Sequence, residues 1–169
     1  MEELTIRQIE KSDLDKMDYT FKSEFERTHA DDLHDQSLSN ISFFVAWLNG
    51  NPVGHALVRW LGPRDEMVRK DYQDCPEIYR LRVLKDFRSQ GIATAIIRTC
   101  EDEALARHHL LIGLGTHPKN ISKDNLYIRS GYELSAVGSY IDTYKTRLED
   151  GTVVTIRKDA QFLIKKLID

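Results

Sequence analysis

Six residues, Arg88-Ser89-Gln90-Gly91-Ile92-Ala93, stand between two apolar segments of different period. Before them, Glu77 to Leu84 (EIYRLRVL) reads as a strand. After them, Gly91 to Arg107 carries Ile92, Ile96, Cys100 and Ala104 down one helical stripe. A chain that turns from strand into helix leaves the N–H groups of the first helical turn without intrahelical acceptors. The helix dipole adds partial positive charge at the same place. Gly91, lacking a Cβ, can take the dihedrals such a turn needs and lets a ligand approach the backbone. Arg88 adds a guanidinium, Lys85 lies close by in sequence, and the small Ala93 lets the helix lie near its ligand. The expected guest is an anion, above all a phosphate. Neither G-x-x-x-x-G-K-[ST] nor G-x-G-x-x-G occurs here, which excludes an ATPase-type phosphate loop and a dinucleotide fingerprint.

The rest of the chain supplies the frame. Leu4 to Ile9 reads as a strand, and Ser12 is placed to cap a helix carrying Leu14, Met17, Phe21 and Phe25. Residues 27–40 are polar and acidic, a loop or a short second helix. Ser42–Leu48 and Val53–Trp60 form a hairpin across Asn49-Gly50-Asn51-Pro52, with Trp47 and Trp60 in its core. A long polar loop covers 62–76. His109–Thr116 is a nearly all-apolar strand, as one buried on both faces should be. Asn120–Arg129 reads as a helix stopped by Ser130-Gly131. Tyr132–Leu148 gives one or two strands, Thr152–Arg157 returns, and Ala160–Leu167 reads as a short closing helix. The β-α-β in the middle requires a parallel pair with a right-handed crossover, and the hairpins require antiparallel neighbours. With 169 residues and no linker, repeat or low-complexity segment, a single domain over 1–169 is expected.

Composition excludes several classes. Lys+Arg 24 against Asp+Glu 27 gives a formal net charge of −3, with no basic run that would mark a nucleic-acid partner. No apolar run is long enough to span a membrane, and the N-terminus has no leader pattern, so a cytoplasmic protein is expected. Two cysteines, Cys75 and Cys100, make no disulfide framework; Cys100 falls on the core stripe of its helix, and Cys75 lies in a loop before Pro76. His29, His34, Asp31, Asp32 and Asp35 cluster, but at no metal-ligand spacing, and no metal is expected.

Downstream of the anion loop, Asn120 is followed by Leu126-Tyr127 and then Gly131-Tyr132. Together with Leu81-Arg82-Val83 and R-x-x-G-x-A at 88–93, this set resembles the GNAT N-acetyltransferase superfamily over about residues 77–134. One departure is Lys123, where that superfamily commonly has Ala. The resemblance implies an α/β fold: a mixed, mostly antiparallel sheet of about seven strands, a central parallel pair splayed apart, and helices on both faces. It implies acetyl-CoA as co-substrate and direct attack by an amine in a ternary complex. By the same resemblance the pantetheine arm pairs with backbone near Leu81 and Val83, with Arg82 between them among the cofactor-binding residues, and a backbone N–H near Val83 polarises the thioester carbonyl. Arg88, Ser89, Gln90, Gly91, Ile92, Ala93 and Thr94 hold the pyrophosphate, and Asn120 touches the pantetheine. Tyr127 matches the position of the acid that protonates the leaving thiolate. Glu77 is the candidate base, acting through a water; an exposed glutamate opening a strand is the plain alternative.

The acceptor amine, a small molecule or a protein, is not encoded in these motifs, and neither is the acyl length. Tyr140, Asp142 and Tyr144 share a strand face and either line the acceptor site or pack. By the same resemblance the acidic stretch 27–40 borders the substrate mouth, where its charge would attract a cationic amine. His117, beside Pro118 after a strand, reads as a loop residue. A non-catalytic acyl-CoA sensor or interaction module of the same fold is the competing reading. Homodimers are common in that superfamily; no interface stripe is visible here, and a homodimer stays open.

Overall fold

The run read as an aromatic strand is buried at every position, because its two faces meet different layers. In β2 (Ile41–Leu48), Phe44, Ala46 and Leu48 join one hydrophobic cluster, while Phe43, Val45 and Trp47 join another on the opposite side. The structure, a computed structural model, describes residues 3–22, 27–121 and 125–168. Around β2 lie β1 (Leu4–Gln8), β3 (Asn51–Arg59), β4 (Glu77–Val83), β5 (Leu111–Thr116), β6 (Glu133–Arg147) and β7 (Val153–Lys166). They form one seven-stranded sheet in the order β1-β2-β3-β4-β5-β7-β6. All neighbours are antiparallel except β4 and β5.

Helices cover both faces. α4 (Ile92–Ala106) lays Ile92, Ile96, Ile97, Cys100 and Ala104 against Phe44, Ala46, Ala56, Val58, Ile78 and Ile112. On the other face, Met17 of α1 (Leu14–Thr20) and Phe21 beyond it pack with Phe43, Val45 and Leu57, and Leu33 of α2 (His29–Ser37) adds to the edge of that cluster. Asp13 rather than Ser12 organises the entry to α1. Its carboxylate accepts from the Glu10 amide at 2.8 Å and takes a two-point ion pair from Arg7 at 2.7 and 2.9 Å. Phe25, expected on this helix face, lies outside the described residues.

Three expectations are corrected. The segment 62–76 is not all loop: Asp65 caps α3 (Glu66–Asp71), accepting from the Met67 and Val68 amides. The helix expected over Asn120–Arg129 is a 3₁₀ turn at Pro118–Asn120 and a short α5 (Leu126–Arg129), capped by the Asn125 side chain. Lys123 lies outside the described residues. No C-terminal helix forms at Ala160–Leu167; the segment is the inner half of β7, hydrogen-bonded between β5 and β6. Both of its faces are covered, with Leu163 towards α4 and Ala160 and Phe162 packed with Val68, Cys75 and Tyr140. Strand bounds shift slightly: the hairpin return starts at Asn51, and β5 at Leu111. Among the described residues no helix is long and apolar enough to cross a membrane.

Candidate active site

The parallel pair is short. β4 and β5 are in register only at Glu77↔Gly113 and Ile78↔Leu114, and then the strands part. The cause lies on the other edge of β4. Between His55↔Arg82 and Leu57↔Tyr79 the ladder with β3 shifts, and Arg80 takes φ +50, a left-handed conformation uncommon for a residue with a side chain. Arg80 is held there by Asp32, which accepts from both terminal nitrogens at 3.0 and 3.1 Å. The buried His55 ring bonds the Arg80 backbone; burial first, and then the Arg80, His29 and Arg82 charges, pull its pKa down to about 3, so it is neutral.

The parted edge of β4 opens onto a cleft of about 650 Å³ between α4 and α5. Val83, Arg88, Ser89, Gly91, Ala93 and Thr94 line it, with Ile92 beside them. Gly91 caps α4 at φ +81, and no side chain caps the helix, so the first-turn amides are left to the cleft. A Cβ on Gly91 would meet nothing within 4 Å; glycine is required there for the dihedral, not the space. The Arg88 Nε donates to the Val83 carbonyl at 3.0 Å, tying the loop to the strand end.

Three cations of this cleft were not anticipated. Arg98 lies one turn beyond Thr94 on α4, Arg129 on α5 and Lys165 on β7. Arg98 was legible, being four residues after Thr94 on the same helix. Lys165 was hidden by the helical reading of its segment. With Arg88 they make four cations against one acid, Glu101, which already bonds Lys165 at 2.9 Å and accepts from the Tyr132 hydroxyl at 3.1 Å. Burial and Glu101 together push the Tyr132 phenol up. A multiply charged phosphate group fits such a lining.

Other expected site residues sit elsewhere. Leu81 packs on the large core cluster. Arg82 turns its guanidinium over the Phe21 ring, 5.6 Å from the centroid, so only its backbone follows the parted edge. Gln90 reaches the Asp86 carbonyl at 3.5 Å. Asn120 donates to the Thr116 hydroxyl at 3.2 Å at the end of β5, outside the cleft wall. Tyr127 packs against the same cluster as Leu81, and its neighbours Leu126, Arg129 and Ser130, rather than Tyr127 itself, line the cleft. Among the described residues its hydroxyl has no hydrogen-bond partner, and burial raises its pKa. His117 caps the 3₁₀ turn, its Nδ1 accepting from the Lys119 amide.

A second cavity, of about 610 Å³, borders β4 further down, at Glu77, Ile78, Tyr79 and Arg80. Tyr140, Asp142 and Tyr144 all line it. Glu77 is not an exposed strand-start residue: it is buried, ion-paired with Arg59 and bonded by the Arg64 amide at 3.5 Å. Burial raises its pKa, with Arg59 opposing. Two acids of the stretch are paired internally, Asp32 with Arg80 and Arg27 and Asp35 with Arg27, while the exposed Asp31 accepts from the Thr28 amide and keeps its charge. Cys75 is buried, with its thiol pushed up to about 12, and carries no reactive chemistry at neutral pH. Among the described residues no three His, Cys, Asp or Glu side chains converge as metal ligands would.

Comparison with known proteins agrees with this geometry. A sequence profile of the Acetyltransferase (GNAT) family matches residues 5–132. An uncharacterised N-acetyltransferase of Methanocaldococcus jannaschii is 30% identical over 93 residues, 54% of this chain and 38% of its own. Streptothricin acetyltransferase of Escherichia coli is 33% identical over 76 residues, 45% of this chain and 42% of its own. The matches thus span about two fifths of the length of these relatives. Among solved structures, an N-acetyltransferase from Staphylococcus aureus Mu50 superposes with TM-score 0.69 at 16% identity, covering 98% of this chain and 99% of that one. A GNAT family acetyltransferase from Elizabethkingia anophelis with acetyl-CoA bound gives 0.58 at 18% identity, covering 96% and 97%.

Proposed function

As this chain belongs to the GNAT acetyltransferase family, we propose that it moves an acetyl group from acetyl-CoA to a primary amine, both bound at once. The observation that carries this reading is the pair of cavities along one strand. Val83 lines the cationic cleft, and Glu77 to Arg80 of the same strand line the second cavity. The acetyl-CoA bound in the Elizabethkingia anophelis structure supports the choice of donor. Acetyl-CoA supplies the activated acetyl group. The α4 amides, with Arg88, Arg98, Arg129 and Lys165, hold its phosphates. The backbone of Leu81, Arg82 and Val83 orients its arm, with Asn120 closing the far side, and the Val83 N–H polarises the carbonyl under attack. Glu77 takes the proton from the incoming ammonium through a water, and Tyr127 gives one to the leaving sulfur.

Saturating acetyl-CoA is expected to raise Tm. At a hundredfold excess over Kd the gain is about 2.7 kcal/mol, or roughly 5–11 °C for a chain of this size. Gly91→Val, which disfavours φ +81, should remove most of that shift. No protection of the unaltered protein would sink the reading, whereas protection without thiol release over a broad amine panel would favour an acyl-CoA sensor.

Activity should also report Glu77. Because burial raises its pKa, the active, deprotonated form is lost as pH falls through a value above the ordinary ~4.3. The acid limb of kcat/KM should therefore lie above that value. Glu77→Gln should abolish the limb and cost roughly 10²–10⁴-fold in rate. An unchanged limb in the variant would assign the base elsewhere.

A further inference from the structure

Resting on the acetyltransferase reading, the second cavity also narrows the acceptor. Its charged wall is built from pairs: Arg59 with Glu77, Arg64 with Asp142, Arg80 with Asp32, and Arg27 with Asp32 and Asp35. In every pair the arginine side chain is the more exposed partner. The values are 48% for Arg27 against 1% for Asp32, 45% for Arg64 against 35% for Asp142, 22% for Arg59 against 11% for Glu77, and 15% for Arg80 against 1% for Asp32. Asp32 and Asp35 stand behind their arginines, while Glu77 and Asp142 line the cavity beside theirs. The remaining acid of the wall, Asp65, is turned into the start of α3. Lys145 adds a further cation from β6.

The guanidinium of Arg59 is also held in place, lying 4.0 Å from the centre of the Tyr79 ring. Arg59 and Arg64 each give a terminal nitrogen to an acid, and a guanidinium has five N–H donors in a planar fork, so donors remain for a ligand. Among the described residues every carboxylate of this wall already accepts from an arginine or a backbone amide, and the cavity presents donors in the geometry that planar oxyanions prefer. Its volume of about 610 Å³ falls in the range of small-molecule sites.

We propose that the acceptor is a small amine that also carries an oxyanion, a carboxylate or a phosphate, held by Arg59 and Arg64, and not a polycation. The amine then lies towards Glu77 and the parted end of β4. This runs against the expectation that the acidic stretch draws in a cationic substrate, since Asp32 and Asp35 are already paired with arginines.

The test is thiol release from acetyl-CoA over matched amines. The panel pairs each of the common amino acids with its C-terminal amide and O-phosphoethanolamine with ethanolamine, with spermidine and kanamycin as polycations. The expected result is that an anionic member exceeds its uncharged counterpart by roughly tenfold or more in kcat/KM, as loss of a charge-assisted bond requires; whether that member carries a carboxylate or a phosphate identifies the anion. In Arg64→Gln, an exposed change that removes the cation paired with Asp142, that ratio should fall towards one while KM for acetyl-CoA stays as it was. Preference for the amides or the polycations would overturn the proposal and leave the acetyltransferase standing. Acetyl-CoA protection with no turnover anywhere on the panel would also overturn it, and would favour the acyl-CoA sensor. Absence of acetyl-CoA protection would remove the underlying reading instead.

Discussion

Replacing Tyr127 by Phe is expected to lower kcat by roughly 10²-fold or more while acetyl-CoA still protects the fold as in the unaltered protein. The substitution is unusually clean here. The Tyr127 amide is bonded by the Asn125 side chain at 2.8 Å, and its carbonyl accepts from the Tyr132 and Ser130 amides at 3.0 and 3.1 Å. The backbone of α5 is therefore held whichever ring is present. The ring packs against the large core cluster, and a Phe keeps that contact. Only the hydroxyl is lost. Burial holds its pKa above the ordinary tyrosine value, so it is protonated at neutral pH and has a proton to give. A thiolate leaves poorly at pH 7 without one, since a thiol has a pKa of about 8.5. An effect confined to kcat and kcat/KM, with binding intact, is the signature of a contact made in the transition state. Steady-state kinetics beside a thermal-shift titration checks it. A kcat within about twofold of the unaltered enzyme would return Tyr127 to a packing role.

The elements that position this site were legible where local pattern and burial agree. R-x-x-G-x-A marked the start of α4 because its glycine must adopt φ +81, and the stripe of Ile92, Ile96, Cys100 and Ala104 is the face that meets the sheet. The rest depends on partners distant in sequence. Ala160, Leu163, Ile164 and Leu167 mimic a helical stripe, but β7 is inserted between β5 and β6 and buried on both faces, which erases the alternation of a strand. Arg80 is not a residue type that announces a left-handed backbone. Its bulge exists because Asp32, 48 residues earlier, and His55, 25 residues earlier, grip it in the fold. Glu77 could be read only as exposed or catalytic, since burial beside Arg59 is a third possibility that appears when β3 and β4 pair. The cationic cleft likewise draws Arg88, Arg98, Arg129 and Lys165 from a loop, two helices and a strand.

Phe162→Ala is expected to cost about 3–5 kcal/mol, the usual range for deleting a buried phenylalanine. At ~2–4 °C per kcal/mol for a chain of this length, Tm should fall by roughly 6–20 °C. Phe162 is among the most buried side chains and closes the cluster formed with Val68, Cys75, Tyr140 and Ala160. It fits because β5 carries a glycine beneath it. A Cβ at Gly113 would lie 2.5 Å from two Phe162 ring atoms and 2.9 Å from the Leu163 carbonyl oxygen. Gly113→Ala should therefore destabilise too, by about 1–3 kcal/mol, through overpacking. The two losses share one space, so the double variant should be less destabilised than their sum by roughly 0.5–3 kcal/mol. The compensation stays incomplete, because the Leu163 carbonyl remains when the ring is gone. Denaturant unfolding of the four proteins measures the coupling, and strict additivity would show that Gly113 and Phe162 do not answer to each other. The same cluster ties α3 to Tyr140 on the wall of the second cavity. In Phe162→Ala, the loss of acceptor kcat/KM at a permissive temperature should thus exceed any change in acetyl-CoA affinity, since the cationic cleft lies across the sheet against α4 and α5.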